Sequence, residues 1–313
     1  MANYLVTGGA GFIGSNIVDR LVMAGHKVRV VDNLSTGKIE NLNSIINNIE
    51  FIEDDLAEYE VAKKTAKGMD FVLHQAALSS VAFSIEDPIA VNRSIVNSTV
   101  NLLKAAADSG TVQRVVQASS ASVYGDSLDL PKSENMSPNP LSPYAAAKLA
   151  PEYYGKVFYN IYGLEVISLR YFNVFGPRQD SRSPYSGVIS IFMSRMLQGQ
   201  KPIIYGDGEN SRDFIYVDNV VDANILASTC KWPGTPEVIN IGSGKSITLN
   251  QLVAKLNQTL NTDILPEYRD TRIGDIRHSV SDITKARELL GYSVKVDIDE
   301  GLKGLVDWCR RAE

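Results

Sequence analysis

Apolar and polar positions alternate in blocks along the first half of the chain. Short, nearly continuous apolar runs at 3–7, 27–32, 49–53, 70–74, 112–118 and 164–170 predict strands. The amphipathic stretches between them, at 12–24, 58–66, 90–109 and 143–162, predict helices. Apolar strands separated by helices are the pattern of a parallel sheet covered on both faces. Beyond about residue 172 the pattern loosens. Proline and glycine punctuate it, and shorter helices are predicted at 187–198, 218–228, 248–258 and 282–290.

The first strand runs into Gly8, Gly11 and Gly14 and then an amphipathic helix. A buried strand that turns tightly into a helix points unpaired N–H groups and a positive dipole end at one spot, where a pyrophosphate can sit. Phe12 and Ile13 belong to the same turn. The second strand ends in Asp32, 18 residues after Gly14. A carboxylate there bonds ribose hydroxyls and repels a 2′-phosphate, which favours NAD over NADP. Asn33, Ser35, Thr36 and Gly37 follow as a polar loop able to wrap the adenosine. The fold class is therefore α/β: a Rossmann-type doubly wound parallel sheet with a smaller C-terminal α/β lobe. Residues 1–172 form the cofactor domain and 173–313 mainly a substrate lobe, some of whose strands and helices return to the first domain. Ligands are expected over the strand ends.

Composition narrows the function classes. The 313 residues are 44% hydrophobic and 21% charged, with a net charge of −5. That balance fits a globular protein, and nothing in it invites nucleic acid or an anionic membrane. Only Cys230 and Cys309 are present, which fits a reducing cytoplasm without a disulfide framework or a metal cluster. No apolar run approaches a membrane span. The first strand begins near Tyr4, so no signal peptide is expected and a cytoplasmic location follows.

Ser142-Pro143-Tyr144-Ala145-Ala146-Ala147-Lys148 starts a helix with an N-cap serine and a proline at the first helical position. Tyr144 and Lys148 then stand one above the other. Lowering a tyrosine pKa from about 10 to about 7 needs roughly 4 kcal/mol, within reach of two close cations, the lysine ammonium and a positive nicotinamide ring. The phenolate could then take a proton from a hydroxyl while hydride leaves the same carbon. Ser120, with Ser122 as second choice, stands at the end of an apolar strand as the group to hydrogen-bond the reacting oxygen. Pro151 lies inside the same helix, where it removes an N–H and predicts a kink just after Lys148.

The chain resembles the extended short-chain dehydrogenase/reductases, and among them the UDP-hexose 4-epimerases. The resemblance runs from about residue 3 to 310. Its motifs are Thr-Gly-Gly-Ala-Gly-Phe-Ile-Gly at 7–14, Asp-Asn-Leu-Ser-Thr-Gly at 32–37, His-Gln-Ala-Ala at 74–77, Ser-Ser-Ala-Ser-Val-Tyr-Gly at 119–125 and Ser-Pro-Tyr-Ala-Ala-Ala-Lys at 142–148. Arg-Tyr-Phe-Asn-Val-Phe-Gly-Pro-Arg at 170–178, the run from Gly206 to Asp218 and Arg-Ile-Gly-Asp at 272–275 extend it.

The resemblance implies that Tyr144 deprotonates the sugar 4-hydroxyl, that hydride passes to NAD, and that it returns to the other face of the 4-keto sugar. It also implies that Asp55 and Leu56 flank adenine, that Ala76, Ala77 and Ser79 line the cofactor channel, and that Tyr171 lies near the nicotinamide. Asn173 should contact the diphosphate, Tyr205 stack on uracil, and Arg212 and Arg272 clamp the diphosphate. Asp275 should bind a ribose hydroxyl or orient Arg272. Ser279, where relatives limited to glucose and galactose carry a bulky residue, implies room for an N-acetyl group. Dehydrating and decarboxylating relatives carry an acid near the catalytic serine or threonine; the corresponding run here, Ser120-Ala121-Ser122-Val123-Tyr124, has none. A homodimer built from the helices near 90–109 and 143–162 is also implied.

Overall fold

The computed structural model describes residues 1–180, 187–271 and 276–312. In chain order the elements are β1 (Asn3–Thr7), α1 (Phe12–Met23), β2 (Lys27–Asp32), β3 (Ile49–Glu53), α2 (Tyr59–Ala66) and β4 (Phe71–His74). Then come α3 (Val81–Glu86), α4 (Pro88–Asn92), α5 (Ser98–Ser109), β5 (Arg114–Ser120), α6 (Pro143–Tyr162), β6 (Glu165–Tyr171) and β7 (Asn173–Phe175). The remainder holds α7 (Val188–Leu197), β8 (Ile203–Tyr205), β9 (Ser211–Arg212), β10 (Phe214–Tyr216), α8 (Val217–Thr229) and β11 (Glu237–Ile241). β12 (Ile247–Thr248), α9 (Leu249–Leu260), β13 (Glu267–Arg269), α10 (Thr284–Leu290) and α11 (Ile298–Ala312) complete it.

Seven parallel strands make the central sheet, in the order β11-β6-β5-β4-β1-β2-β3. Side chains alternate across it. Tyr4, Val6, Val30, Val116 and Ile167 face one apolar cluster, shared with α1 and α8. Leu5, Val31, Val115 and Val166 face another, shared with α2, α5 and α6. Both faces are thus dry, which is why these strands read as continuous apolar runs rather than as alternation. β11 comes from beyond residue 172 and closes the sheet beside β6. Among the described residues three small strand pairs, β7 with β10, β9 with β12 and β8 with β13, lie apart from the central sheet.

One element differs from the sequence reading. The single helix predicted at 90–109 is divided into α4, a π-helical turn at Arg93–Asn97, and α5. α6 spans the predicted 143–162 and contains Pro151. There Gln117 Nε2, from the sheet below, donates to the Pro151 carbonyl at 2.7 Å, and Gly155 lets the helix lie close, since a Cβ would stand 2.8 Å from Val166.

Candidate active site

The C-terminal ends of β1, β2, β4, β5 and β6 lie side by side along one edge of the parallel sheet. After β1 the chain turns at Gly8, with φ of +63°, and a Cβ there would meet the backbone of Ala76 at 2.7 Å. A Cβ at Gly14 would stand 2.1 Å from the Gly8 carbonyl oxygen, so loop and helix touch only because both residues are glycine. Gly11 is the N-cap of α1 and offers no side chain to its first N–H groups. A helix N-terminus left bare beside a glycine turn fits a pyrophosphate. Phe12 and Ile13 open this helix, partly buried.

Asp32 is held in place at the end of β2. Its carboxylate accepts from Ala10 N at 3.0 Å and Leu34 N at 2.8 Å. Gly37 lies against it, since a Cβ there would be 2.8 Å from an Asp32 oxygen. Burial pushes the Asp32 carboxyl up, and the two backbone N–H bonds pull it back. Asn33, Ser35 and Thr36 are exposed around it. On the far side of the sheet end, Asp55 pairs with Arg93 at 3.0 Å, and Leu56 is buried in the α2–α5 cluster. Ala76 and Ala77 are half-buried, and Ser79 is exposed.

Beneath the glycine turn lies a buried polar chain. Thr99 Oγ1 donates to Ile95 O at 2.6 Å, so it accepts from His74 Nε2 at 3.0 Å. Thr7 Oγ1 accepts from Gln75 N and Ala76 N, each at 3.2 Å, so it donates to His74 Nδ1 at 2.7 Å. The network therefore fixes a neutral imidazole with its proton on Nε2. Burial, assisted by the Lys148 charge, pushes the His74 pKa down to about 3.

α6 starts as its sequence predicts. Ser142 Oγ accepts from Ala145 N at 3.1 Å, and Pro143 takes the first turn. Tyr144 hydrogen-bonds Ser120. It packs against the cluster of Val91, Ile95 and Ala147, which Ala77 and Phe83 also cover. Lys148 is buried, and its Nζ donates to Ala118 O at 3.0 Å. The Tyr144 phenol differs from the expectation. Burial pushes its pKa up, and only the Ser120 hydrogen bond pulls it down. Burial also lowers Lys148 to about 8, so its own charge is held against desolvation. Burial thus favours the neutral Tyr144 phenol over the phenolate. Ser120 Oγ also accepts from Ser122 N at 3.1 Å. Ser122 Oγ is buried without a hydrogen-bond partner among the described residues.

Tyr171, paired in register with Ser120, turns its hydroxyl into a buried triad. It donates toward Gln75 Oε1 at 3.2 Å or Asn224 Oδ1 at 3.0 Å and accepts from Asn224 Nδ2 at 2.8 Å. Neither Gln75 nor Asn224 was marked by the sequence reading as a partner of Tyr171.

Beyond β6, Asn173 is exposed and its Nδ2 donates to Asp213 O at 3.1 Å. It borders a cavity of about 80 Å³ with Phe175, Gln179, Val188 and Phe214. Tyr205 ends β8, and Arg212 ends β9 with Nη1 on Ser211 O at 3.0 Å. Ser279 N donates to Ser211 O at 3.1 Å, which ties this serine to the residue before Arg212. Arg272 and Asp275 lie outside the described residues. Sequence reasoning missed the group that organises this region. Asp213, fully buried, accepts from Ser243 N at 2.8 Å, Ser243 Oγ at 2.6 Å, Gly244 N at 3.1 Å, and Ser281 N and Oγ at 3.0 and 2.5 Å. Its only signal was an acid inside the Gly206–Asp218 motif.

The family described as NAD dependent epimerase/dehydratase matches residues 4–242. A UDP-glucose 4-epimerase of Mycolicibacterium smegmatis is 38% identical over 309 residues, 98% of each chain. Among solved structures, the UDP-N-acetylglucosamine 4-epimerase from Methanobrevibacter ruminantium in complex with UDP-N-acetylmuramic acid is 42% identical with a TM-score of 0.95, covering 100% of this chain and 99% of that one. The UDP-glucose 4-epimerase of Thermotoga maritima with UDP-glucose is also 42% identical, with a TM-score of 0.93 and 99% of each chain covered. No described helix is long and apolar enough to cross a membrane. The chain belongs to the NAD-dependent epimerase/dehydratase family, within its UDP-sugar 4-epimerases.

Proposed function

We propose that this protein interconverts UDP-glucose with UDP-galactose, and UDP-N-acetylglucosamine with UDP-N-acetylgalactosamine, by inversion at C4. The observation that carries the reading is the joining of Ser120, Tyr144 and Lys148 at the strand ends, on a turn without a carboxylate. Where dehydrating and decarboxylating relatives set an acid, Ser122 presents a buried hydroxyl with no partner among the described residues. Such a site can move a proton and a hydride at C4 and return both, but it lacks a second acid for elimination.

NAD supplies a hydride acceptor and the positive ring that the Tyr144 phenol needs. Tyr144 takes the proton from the 4-hydroxyl, Ser120 holds the reacting oxygen, and Lys148 stabilises the phenolate and the nicotinamide ribose. Gly8, Gly11, Phe12, Ile13 and Gly14 cradle the pyrophosphate. Asp32 receives the adenosine ribose, with Asn33, Ser35, Thr36 and Gly37 around it. Asp55, Leu56, Ala76, Ala77, Ser79 and Tyr171 border the rest of the cofactor. Asn173, Tyr205, Arg212, Arg272 and Asp275 hold the UDP moiety, and Ser279 leaves room for an acetamido group.

The test is a coupled assay of purified protein with UDP-galactose, UDP-GalNAc and UDP-glucuronate, without added NAD. Turnover of the first two supports the reading. Turnover of UDP-glucuronate alone, or of none even with NAD added, refutes it. Ser279→Tyr should suppress UDP-GalNAc turnover selectively; equal loss on both sugars would reject the role of that position.

A homodimer belongs to the same proposal. Tyr153, Tyr154, Val157 and Ile161 are exposed on the face of α6 opposite its buried residues, and Ile85 and Ile89 are exposed on the adjoining α3 and α4. Apolar stripes of this kind mark interfaces. Ile161→Glu should convert a dimer to a monomer in sedimentation; a wild type that sediments as a monomer would dismiss it.

A further inference from the structure

Tyr144, Lys148 and Glu152 stand at successive turns of α6, and each grips the end of β5. Tyr144 bonds Ser120. Lys148 Nζ donates to Ala118 O at 3.0 Å. Glu152 Oε1 accepts from Ser119 Oγ at 2.5 Å. The third contact holds no group of the proposed chemistry, yet it is the most heavily built. Ser119 pairs in register with Arg170 on β6, one step from the Ser120–Tyr171 pair. Arg170 closes a bidentate pair with the same carboxylate, Nε to Oε1 at 2.9 Å and Nη2 to Oε2 at 2.7 Å. The guanidinium also lies 4.7 Å from the centre of the Tyr124 ring. Ser119, Glu152 and Arg170 are all more than nine-tenths buried.

A buried ion pair is an expensive way to hold a helix on a sheet; apolar side chains of similar volume do so as well or better. What it adds is direction. A bidentate carboxylate has one orientation, and here that orientation is shared by the backbone step that carries Ser120 and by the helix turn that carries Lys148. The far side of the pair is anchored too. Tyr124, in the turn after Ser120, donates from its hydroxyl to Asn240 Oδ1 at 2.7 Å. Asn240 N donates to Glu134 Oε1 at 2.7 Å, and its side chain holds Lys132 O at 2.9 Å.

We propose that Glu152 and Arg170 are positioning residues, which act through Ser119 to fix the Ser120 hydroxyl and the Lys148 ammonium relative to Tyr144. The proposal rests on the function stated above for its kinetic readout, and carries a second readout that needs no substrate.

Two variants of the NAD-loaded enzyme test it. Ser119→Ala removes the link between β5 and the carboxylate and leaves the ion pair whole. The double variant Glu152→Met with Arg170→Met replaces the pair by apolar side chains and avoids the unpaired buried charge that either single change would leave. Both should lower kcat about tenfold or more with KM changed by less than about threefold, because misplacing a reacting group by a fraction of an ångström acts on the chemical step.

The phenol of Tyr144, faced by Ser120 from β5, by Lys148 from its own helix and by the cofactor ring, is followed by ultraviolet difference titration against Tyr144→Phe partners. Its midpoint should rise in both variants as the Ser120 hydrogen bond weakens. If the double variant keeps or gains thermal stability but kcat stays low, the pair positions rather than clamps. Wild-type kcat and an unchanged midpoint in both variants would overturn the proposal. A wild type inactive on every UDP-hexose would refute the function instead, and the titration would still decide this point.

Discussion

Replacing Lys148 by methionine should make the cofactor-free protein more stable while abolishing turnover. The lysine is buried and donates only to Ala118 O, at 3.0 Å, among the described groups. Burial lowers its pKa from 10.5 to about 8. At about 1.36 kcal/mol for each pH unit, that difference is about 3 kcal/mol of penalty for keeping the ammonium charged in the native state at pH 7. Methionine fills a similar volume and removes the penalty, but leaves the Ala118 carbonyl unpaired at about 1 kcal/mol. The net gain is about 2 kcal/mol, which for 313 residues is about 3 °C in Tm.

The sign of the pH dependence is fixed by the same numbers. Below about pH 8 the wild type carries the full penalty. Between about 8 and 10.5 its native lysine is neutral while the unfolded chain still holds the proton, so wild-type stability rises with pH. The variant's advantage should therefore be largest at pH 7 and vanish by about 10.5. Thermal unfolding of nucleotide-stripped protein at pH 7, 8.5 and 10.5, beside an activity assay of the reconstituted enzyme, measures both halves. A variant no more stable than wild type at pH 7, or a margin that ignores pH, would refute the reasoning.

Two further outcomes follow from the cofactor cradle. Gly14→Ala puts a Cβ 2.1 Å from the Gly8 carbonyl oxygen, so loop and helix must part, and the purified protein should carry no nucleotide; stoichiometric NAD in the acid-released fraction would contradict this. His74, neutral and held near pKa 3 by burial, ties stability to pH on the acid side. The unfolded imidazole takes up a proton below about 6.5 and the native one does not. The wild type should lose about 2 kcal/mol between pH 6.5 and 5 that His74→Gln does not lose, and parallel urea curves for the two proteins would exclude the link.

Local chemistry was legible in the sequence where a few adjacent residues do the work. The Gly8–Gly14 turn, the Asp32 strand end, and the Ser142-Pro143 start of α6 each depend on neighbours in the chain, and each stands where the pattern put it. The seven-stranded parallel sheet was legible from six apolar runs, but the seventh strand was not. Glu237–Ile241 is flanked by Pro236 and Gly242 within a stretch of loosened periodicity, and only its pairing with β6 reveals it.

The π-helical turn at Arg93–Asn97 was invisible because it leaves the apolar spacing of 90–109 almost intact. Glu152 and Arg170 are single charges in sequence. They become a pair only once the register sets Ser119 beside Arg170. The Asp213 hub likewise draws its five donors from Ser243, Gly244 and Ser281, some 30 to 68 positions away. The raised Tyr144 phenol had no sequence signal, because desolvation depends on what covers the ring.

The strand order also governs how the chain can be made. β11 is the last strand of the central sheet to leave the ribosome, and the whole stretch between Tyr171 and Glu237 must emerge first. Until then β6 is an open edge, with the N–H and C=O groups that β11 will pair still unpartnered. That edge belongs to the strand carrying Arg170 and Tyr171. A nascent chain stalled near residue 230 would therefore offer a parallel edge to other chains, and the interval before β11 arrives is when a chaperone would protect it most.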